Sequence, residues 1–221
     1  MNYFHLEAKV VSRGAGRSVI AAAAYASCSR LYNDYDGLTH DYTRKHGCLY
    51  SEVFLPQYAP EEWKDRQLLW EAVESVEKTK DSRLARELVV ALPSELSLDD
   101  WKSMLKRFVR EQGIDLGMCA DVNIHDPYPP GHNPHSHILF TMRPLDEHGK
   151  WLPKARKVYD LDENGERIRL PSGRYKTHKV DLTGWNDKGN ALLWRKAWAD
   201  ISNAYLERAG SPEHIDHRSN A

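Results

Sequence analysis

The chain has 221 residues, 41% hydrophobic and 29% charged, with a formal net charge of -1. This is ordinary for a single soluble globular domain with a sizeable core, and the charge does not advertise nucleic-acid binding. No apolar run is long enough to span a bilayer, and no charged n-region with an apolar h-region opens the chain. Cys28, Cys48 and Cys119 are an odd number without CxxC spacing, which indicates neither a disulfide framework nor a thiolate zinc site and points to a reducing cytoplasm. Averages conceal segregation: Lys150 to Lys179 carries nine Lys/Arg against four Asp/Glu, whereas Glu61 to Glu77 carries six acids against two bases.

Residues Tyr3 to Val11 alternate, with Phe4, Leu6, Ala8 and Val10 on one side, and predict a strand. A Gly/Ser/Arg-rich turn, Ser12 to Ser18, then leads into a helix over Val19 to Leu31. Small residues along this helix let it lie close to a sheet, and Tyr25 is the large side chain it carries, either to fill the core or to do chemistry. Free N–H groups at the helix start, flanked by Arg13 and Arg17, form a potential anion site, although the spacing matches neither a P-loop nor a dinucleotide fingerprint. Tyr32 to Gly47 is polar, rich in Asp, Gly, Thr and Tyr, and reads as a loop or an excursion that could fold over substrate.

A strand over Cys48 to Leu55 ends at Pro56, and a helix runs from Pro60 to about Lys80. RELVVAL, Arg86 to Leu92, is a strand that puts Glu87, Val89 and Ala91 on one face. Glu87 can serve chemistry there or pair with Arg83 or Arg86. Ser97 caps the next helix, with Asp100 at the capping-box position and Gly113 at its end.

Asp121 to Met142, DVNIHDPYPPGHNPHSHILFTM, carries the strongest signal. Two strands joined by a Pro/Gly-rich reversal form a hairpin, with Asp121, Asn123 and His125 on one face of the first strand and His135 and His137 sharing a face of the second. Antiparallel pairing brings His125 opposite or nearly opposite His135, so three imidazoles converge over an apolar face as a metal site. His132 sits in the turn, outside the ligand set. Neutral ligands leave a divalent ion strongly electrophilic, which suits phosphate or carbonyl chemistry.

Beyond the hairpin, the basic segment interleaves Trp151, Tyr159 and Tyr175 with Lys154, Arg156, Lys157, Arg174 and Lys176. Such a pattern can hold phosphates and stack bases, or simply be a solvated hairpin. A helix from Asn186 to about Arg208 has Leu192, Leu193, Trp198, Ile201 and Leu206 as its apolar positions. The tail IDHRSNA stops without a structural reason, so residues 1–221 read as one domain, the N-terminal part of a longer protein. Strands and helices in this order indicate an α+β fold with a mainly antiparallel sheet.

Over essentially its whole length the chain resembles the MobA/MobL family of plasmid relaxases, within the HUH endonuclease superfamily. The matching stretches are YFHLEAKVVSRGAGRS, AAAAY, GLTHDYTRKHG, RELVVALPSELS, HDPYPPGHNPHSHILFT, WRKAWADISNAYLERAG and IDHRS. The resemblance implies about five central strands flanked by helices, with the histidine hairpin in the middle and the tyrosine helix nearby. It implies metal-assisted transesterification on single-stranded DNA at a plasmid origin of transfer, with Tyr25 as nucleophile, His125, His135 and His137 as metal ligands, and Glu87 as ligand, base or orienter. It also implies a relaxosome with accessory proteins and a type IV secretion coupling protein. All-imidazole ligation accepts Mn, Co, Ni or Zn readily, whereas Mg prefers oxygen; Mg or Mn is the expected functional ion. Tyr32, about two helical turns beyond Tyr25, would be an alternative nucleophile if the helix reached it. A zinc hydrolase with activated water and a non-catalytic single-stranded DNA-binding module remain competing readings.

Overall fold

The computed structural model describes residues 4–127, 132–187 and 189–218. Tyr3, residues 128–131 of the predicted reversal, and the final three residues of the tail lie outside them. In chain order the regular elements are β1 (Leu6–Ser12), α1 (Val19–Ser27), β2 (Arg30–Asn33), β3 (Leu38–Asp41), β4 (Cys48–Phe54), α2 (Arg66–Val76), β5 (Arg83–Ala91), α3 (Leu98–Gln112), β6 (Ala120–His125), β7 (His135–Thr141), β8 (Ala155–Tyr159), β9 (Thr177–Asp181) and α4 (Asn190–Arg208).

Five strands form the central sheet in the order β1-β5-β7-β6-β4, with every neighbouring pair antiparallel. This is the predicted α+β architecture, with the histidine hairpin mid-sheet. Alternation along the strands sends two sets of side chains to opposite faces. Leu88, Val90, Val122, Ile124, Ile138 and Phe140 meet Met104, Leu105 and Phe108 of α3 and Trp194 and Trp198 of α4. On the other face, Val11, Ala85 and Leu139 meet Val19, Ile20, Ala23 and Ala24 of α1 and Leu69, Trp70 and Val73 of α2. The histidines and Glu87 share this second face by parity.

Several boundaries differ from the periodicity reading. Helix α1 ends at Ser27, not Leu31, because Cys28 caps it in the left-handed region at φ 52° and Ser29 N closes on Ala24 O at 3.0 Å. The polar stretch that follows is a hairpin of β2 and β3 rather than a structureless loop. Tyr32 consequently sits opposite Thr39 in a strand, and the helical spacing that linked it to Tyr25 does not exist. Helix α2 starts at Arg66 because Asp65 accepts from Gln67 N at 2.8 Å, and Glu61–Lys64 form a separate 3-10 turn. Strand β5 begins at Arg83, three residues earlier than predicted. The capping box of Ser97 and Asp100 forms as expected. In α4, Leu192 and Leu193 are both 63% exposed, and Trp194 joins Trp198, Ile201 and Leu206 as the buried stripe.

A buried polar knot fastens α2 to β6. Asp121, fully buried, accepts from Arg66 Nε at 2.7 Å and Nη2 at 2.9 Å, from Trp70 Nε1 at 3.0 Å and from Asn123 Nδ2 at 2.9 Å. Removing the carboxylate strands the Trp70 indole N–H and the Arg66 Nε–H, while Arg66 Nη2 keeps Ser51 Oγ and Asn123 Oδ1. Asp121→Ala should therefore cost about 3 kcal/mol, measured by urea unfolding, with a matched fall in midpoint and no change in slope.

Candidate active site

The site lies where β6 and β7 face the end of α1. The register pairs His125 directly with His135 and Asn123 with His137. Their rings are nearly equidistant, with centroids 5.4 Å apart for His125 and His135, 5.1 Å for His125 and His137, and 5.4 Å for His135 and His137. One ring nitrogen of each lies within 4.8 Å of the others.

Second partners set which nitrogen is free. His135 Nδ1 donates to Asn133 O at 2.8 Å, which leaves Nε2 as its lone-pair atom. His125 Nε2 donates to Ala26 O at 2.5 Å, the last turn of α1, and its Nδ1 accepts from Lys45 Nζ at 3.1 Å. His137 Nδ1 faces Glu87 Oε1 at 3.6 Å, an ion-pair distance rather than a closed hydrogen bond, and has no nearer partner. Burial, first of all, pulls the His125 imidazole down to about 4, and Lys45 and the other two histidines push the same way. His135 is lowered for the same leading reason. Both rings are therefore neutral at pH 7, with the His135 Nε2 lone pair free and the His125 Nδ1 lone pair facing Lys45, which has to swing aside for the three nitrogens to take a divalent transition ion.

Glu87 lies across the sheet from this cluster in β5. Its carboxyl is held down at about 2, first by His137 and then, against the cost of burial, by Arg17, whose Nη2 is 2.7 Å from Oε2. Arg17, not Arg83 or Arg86, is the cation that pairs with it.

Tyr25 stands beside the cluster. Four of its α1 neighbours, Ile20, Ala23, Ala24 and Ala26, are buried against the sheet, while Tyr25 is 44% exposed. Its ring meets His137 edge-on at 5.9 Å and Tyr42 at 5.4 Å. Lys45 Nζ lies over that ring, 3.5 Å from the centroid, and also donates to Tyr25 O at 3.3 Å. A phenol, three imidazoles and an ammonium group thus share one open face. This arrangement can bind an anion and present an oxygen nucleophile to it.

Comparison with known proteins follows this geometry. A family model described as the MobA/MobL family matches residues 17–221. The chain belongs to the MobA/MobL family. It is 37% identical to the conjugal transfer protein TraA of Agrobacterium fabrum over 97% of this chain and 20% of TraA. It is 35% identical to a probable mobilization protein MobA of Bifidobacterium longum, over 99% of this chain and 41% of that one. Identity to the mobilization protein MobL of Acidithiobacillus ferridurans is 33%, over 100% of this chain and 59% of the relative. The chain therefore spans only about a fifth to three fifths of these relatives. A solved structure described as "Molecular Basis of Vancomycin Resistance Transfer in Staphylococcus aureus" superposes with a TM-score of 0.81 and 32% identity, covering 99% of this chain and 100% of that one.

In this MobA/MobL domain the predicted cations separate by environment. Arg13 is almost wholly buried, pairs with Glu74, donates to Glu74 O and Thr79 O, and lies 4.1 Å over the Tyr35 ring. Lys154 pairs with Glu77 at 2.8 Å and donates to Arg83 O at 2.6 Å. Both are committed to internal contacts, which corrects their expected availability to DNA. Lys176 pairs with Asp160 at 3.5 Å, on the surface. Arg156, Lys157 and Arg174 are exposed. Beside them Arg167 lies 4.0 Å over Tyr159, and Arg169 5.1 Å over Tyr175, on the hairpin of β8 and β9.

Sequence reasoning missed Lys45. It lies within GLTHDYTRKHG, a stretch quoted for the resemblance but given no chemistry, and nothing in its local pattern marks it as facing Tyr25. The cysteine reading also changes: Cys28 and Cys48 each place a sulfur within 4.8 Å of His125 and of one another, although they are twenty residues apart without a metal-binding spacing.

The shifted groups set the acid behaviour of the metal-free protein. The unfolded chain takes up protons on histidine near 6.5, whereas folded His125 resists until about 4, so stability contributed by the neutral ring is lost as pH falls across that window. Glu87 acts in the same direction lower down, between 4.5 and about 2. Urea midpoints measured from pH 7.5 to 4.5 should decline through this range, and His125→Gln should flatten the upper part of the decline.

Proposed function

We propose that this chain is the nicking domain of a conjugative or mobilisation relaxase, a DNA strand transferase acting on single-stranded DNA at a plasmid origin of transfer. The observation that carries the reading is the exposed Tyr25 phenol beside the three-histidine cluster, with a lysine over its ring. Tyr25 Oη gives up its proton to solvent and attacks the scissile phosphorus, the bond to the 3′ oxygen breaks with its electron pair, and that oxygen takes a proton from solvent and leaves as a 3′-OH. The 5′ phosphate stays on Tyr25 as a phosphodiester, so the bond is transferred rather than hydrolysed and the strand can be rejoined.

His125, His135 and His137 would hold a divalent ion, which supplies charge withdrawal from the non-bridging phosphate oxygens. Mg²⁺ or Mn²⁺ is the ion we assign to function, while the donor set also accepts Zn²⁺, Ni²⁺ or Co²⁺. Lys45 is placed to meet the same phosphate, since its ammonium already bridges Tyr25 and His125. Glu87 does not face Tyr25 directly; it acts as a positioning residue through His137, with Arg17 fixing its other oxygen. The Tyr159, Arg167, Tyr175 and Arg169 group offers aromatic faces and cations to unpaired bases and phosphates, with Arg156, Lys157, Arg174 and, by exchange of partner, Lys176 extending the track.

In this reading the domain works in the bacterial cytoplasm within a relaxosome, with accessory proteins and a type IV secretion coupling protein as partners. No helix among the described residues is long and apolar enough to cross a membrane.

A cleavage assay on single-stranded DNA carrying the cognate nick site tests the reading. Wild type with Mn²⁺ should give a covalent protein–DNA adduct on denaturing gels, Tyr25→Phe none, and His135→Ala a loss of a hundredfold or more, on the order of 3 kcal/mol in barrier. Cleavage without adduct would instead establish water as the nucleophile, and undiminished adduct from Tyr25→Phe would remove Tyr25 from the reaction.

Glu87→Gln separates positioning from direct chemistry. Removing the charge behind His137 should weaken Mn²⁺ binding by roughly ten- to a hundredfold, with adduct formation largely restored at saturating metal. A rate that stays low at saturating metal would give Glu87 a direct part in proton transfer.

A further inference from the structure

The nicking reading makes no use of the two thiols beside His125. Cys48 opens β4 directly opposite His125 of β6, and a register irregularity follows at once between Cys48 and Tyr50. Gly47 makes this approach possible: it is left-handed at φ 90°, its carbonyl accepts from Asp126 N at 2.9 Å, and a Cβ there would meet Asp126 O at 2.9 Å. Cys28 arrives from the other side as the cap of α1. It is the sole non-glycine residue with positive φ among those described, a backbone state that costs a side-chain-bearing residue of this kind free energy. The same turn of α1 supplies Ala26 O to His125 Nε2. Two sulfurs and an imidazole nitrogen end up within 4.8 Å of one another, and both cysteines remain partly accessible.

We propose that Cys28, Cys48 and His125 form a second metal site, selective for thiophilic ions such as Zn²⁺ or Cd²⁺. In a tetrahedral thiolate–imidazole site the donor atoms stand about 3.5–3.8 Å apart, so from separations within 4.8 Å the ligands need close by at most about 1.3 Å. Three protein donors leave a fourth position for water. Both thiols release their protons to solvent on binding, and no redox step is involved. Mg²⁺ and Mn²⁺ are poor partners for sulfur, and thiophilic ions prefer this site to three imidazoles.

His125 belongs to both groups, so the sites compete. A thiophilic ion drawn to the cysteines takes His125 from the three-histidine cluster and weakens the binding of Mn²⁺ there. Environmental zinc or cadmium would act as an inhibitor through a residue of the site itself.

The test uses the intact chain, reduced and without DNA, so its outcome is independent of whether Tyr25 is the nucleophile. X-ray absorption of protein carrying one equivalent of zinc should show two sulfur scatterers, and cadmium should produce an ultraviolet thiolate charge-transfer band. Cys48→Ser and Cys48→Ala should each abolish the band and weaken cadmium binding at least tenfold, with Mn²⁺ affinity by electron paramagnetic resonance unchanged. One equivalent of cadmium should displace Mn²⁺ from wild type but not from either variant. Zinc surrounded only by nitrogen and oxygen, or equal displacement of Mn²⁺ from wild type and variants, would overturn the proposal. Cys28→Ser, at the strained cap, is a further check on ligation if its circular dichroism matches wild type.

Discussion

Everything at the site depends on the register between β6 and β7. With His125 opposite His135 and Asn123 opposite His137, the three rings share one face at nearly equal spacing. A slip of one residue would send His135 and His137 into the apolar layer under α3 and bring Ser136 and Ile138 to the site face. That slip is opposed by Ile124, Ile138 and Phe140, which pack without exposure against α3 and α4, and by the Asp121 knot beneath α2. The convergence of the three imidazoles is thus held in place by hydrophobic burial on the far side of the sheet.

The helix α1 imposes the second constraint. Its alanines allow close contact with the sheet, and its termination at Ser27 places Tyr25 in the last turn, where it need not be covered. The same termination aims Ala26 O at His125 and Cys28 at Cys48. One helix end therefore presents the Tyr25 phenol, orients the His125 ring and supplies a thiol. A longer helix, as the residue pattern suggested, would have disrupted all three, and the helix stops where Cys28 turns left-handed and Ser29 N closes on Ala24 O.

Electrostatics follows from the layering. Lys45, brought by the turn before β4, sits between Tyr25 and His125, and Glu87 reaches His137 from β5 with Arg17 behind it. Positive and neutral groups line this face, and the two carboxylates near them are already engaged, Glu87 by Arg17 and Asp126 by His132 and Asn133 N. An incoming phosphodiester would meet no exposed carboxylate from Glu87, and Lys45 would gain a stronger partner than the imidazole it contacts now.

The sequence alone determined the alternation of Asp121 to Met142, the identity of the three histidines, the capping box of α3 and the small-residue character of α1, because each is a local pattern with a period or an offset that physics makes legible. The residue pattern left Tyr25 and Glu87 open between packing or pairing and chemistry, and the resemblance to relaxases supplied the roles expected of them. What remained for the tertiary structure were the partners: Arg17 for Glu87, Glu74 for Arg13, Glu77 for Lys154, Lys45 for Tyr25, and Cys28 for Cys48. These pairs join residues 20 to 77 positions apart, and no spacing rule operates across such a separation. The histidine face was readable because a hairpin is local; the tyrosine, the lysine and the thiols around it met only when α1 and β4 packed against the hairpin.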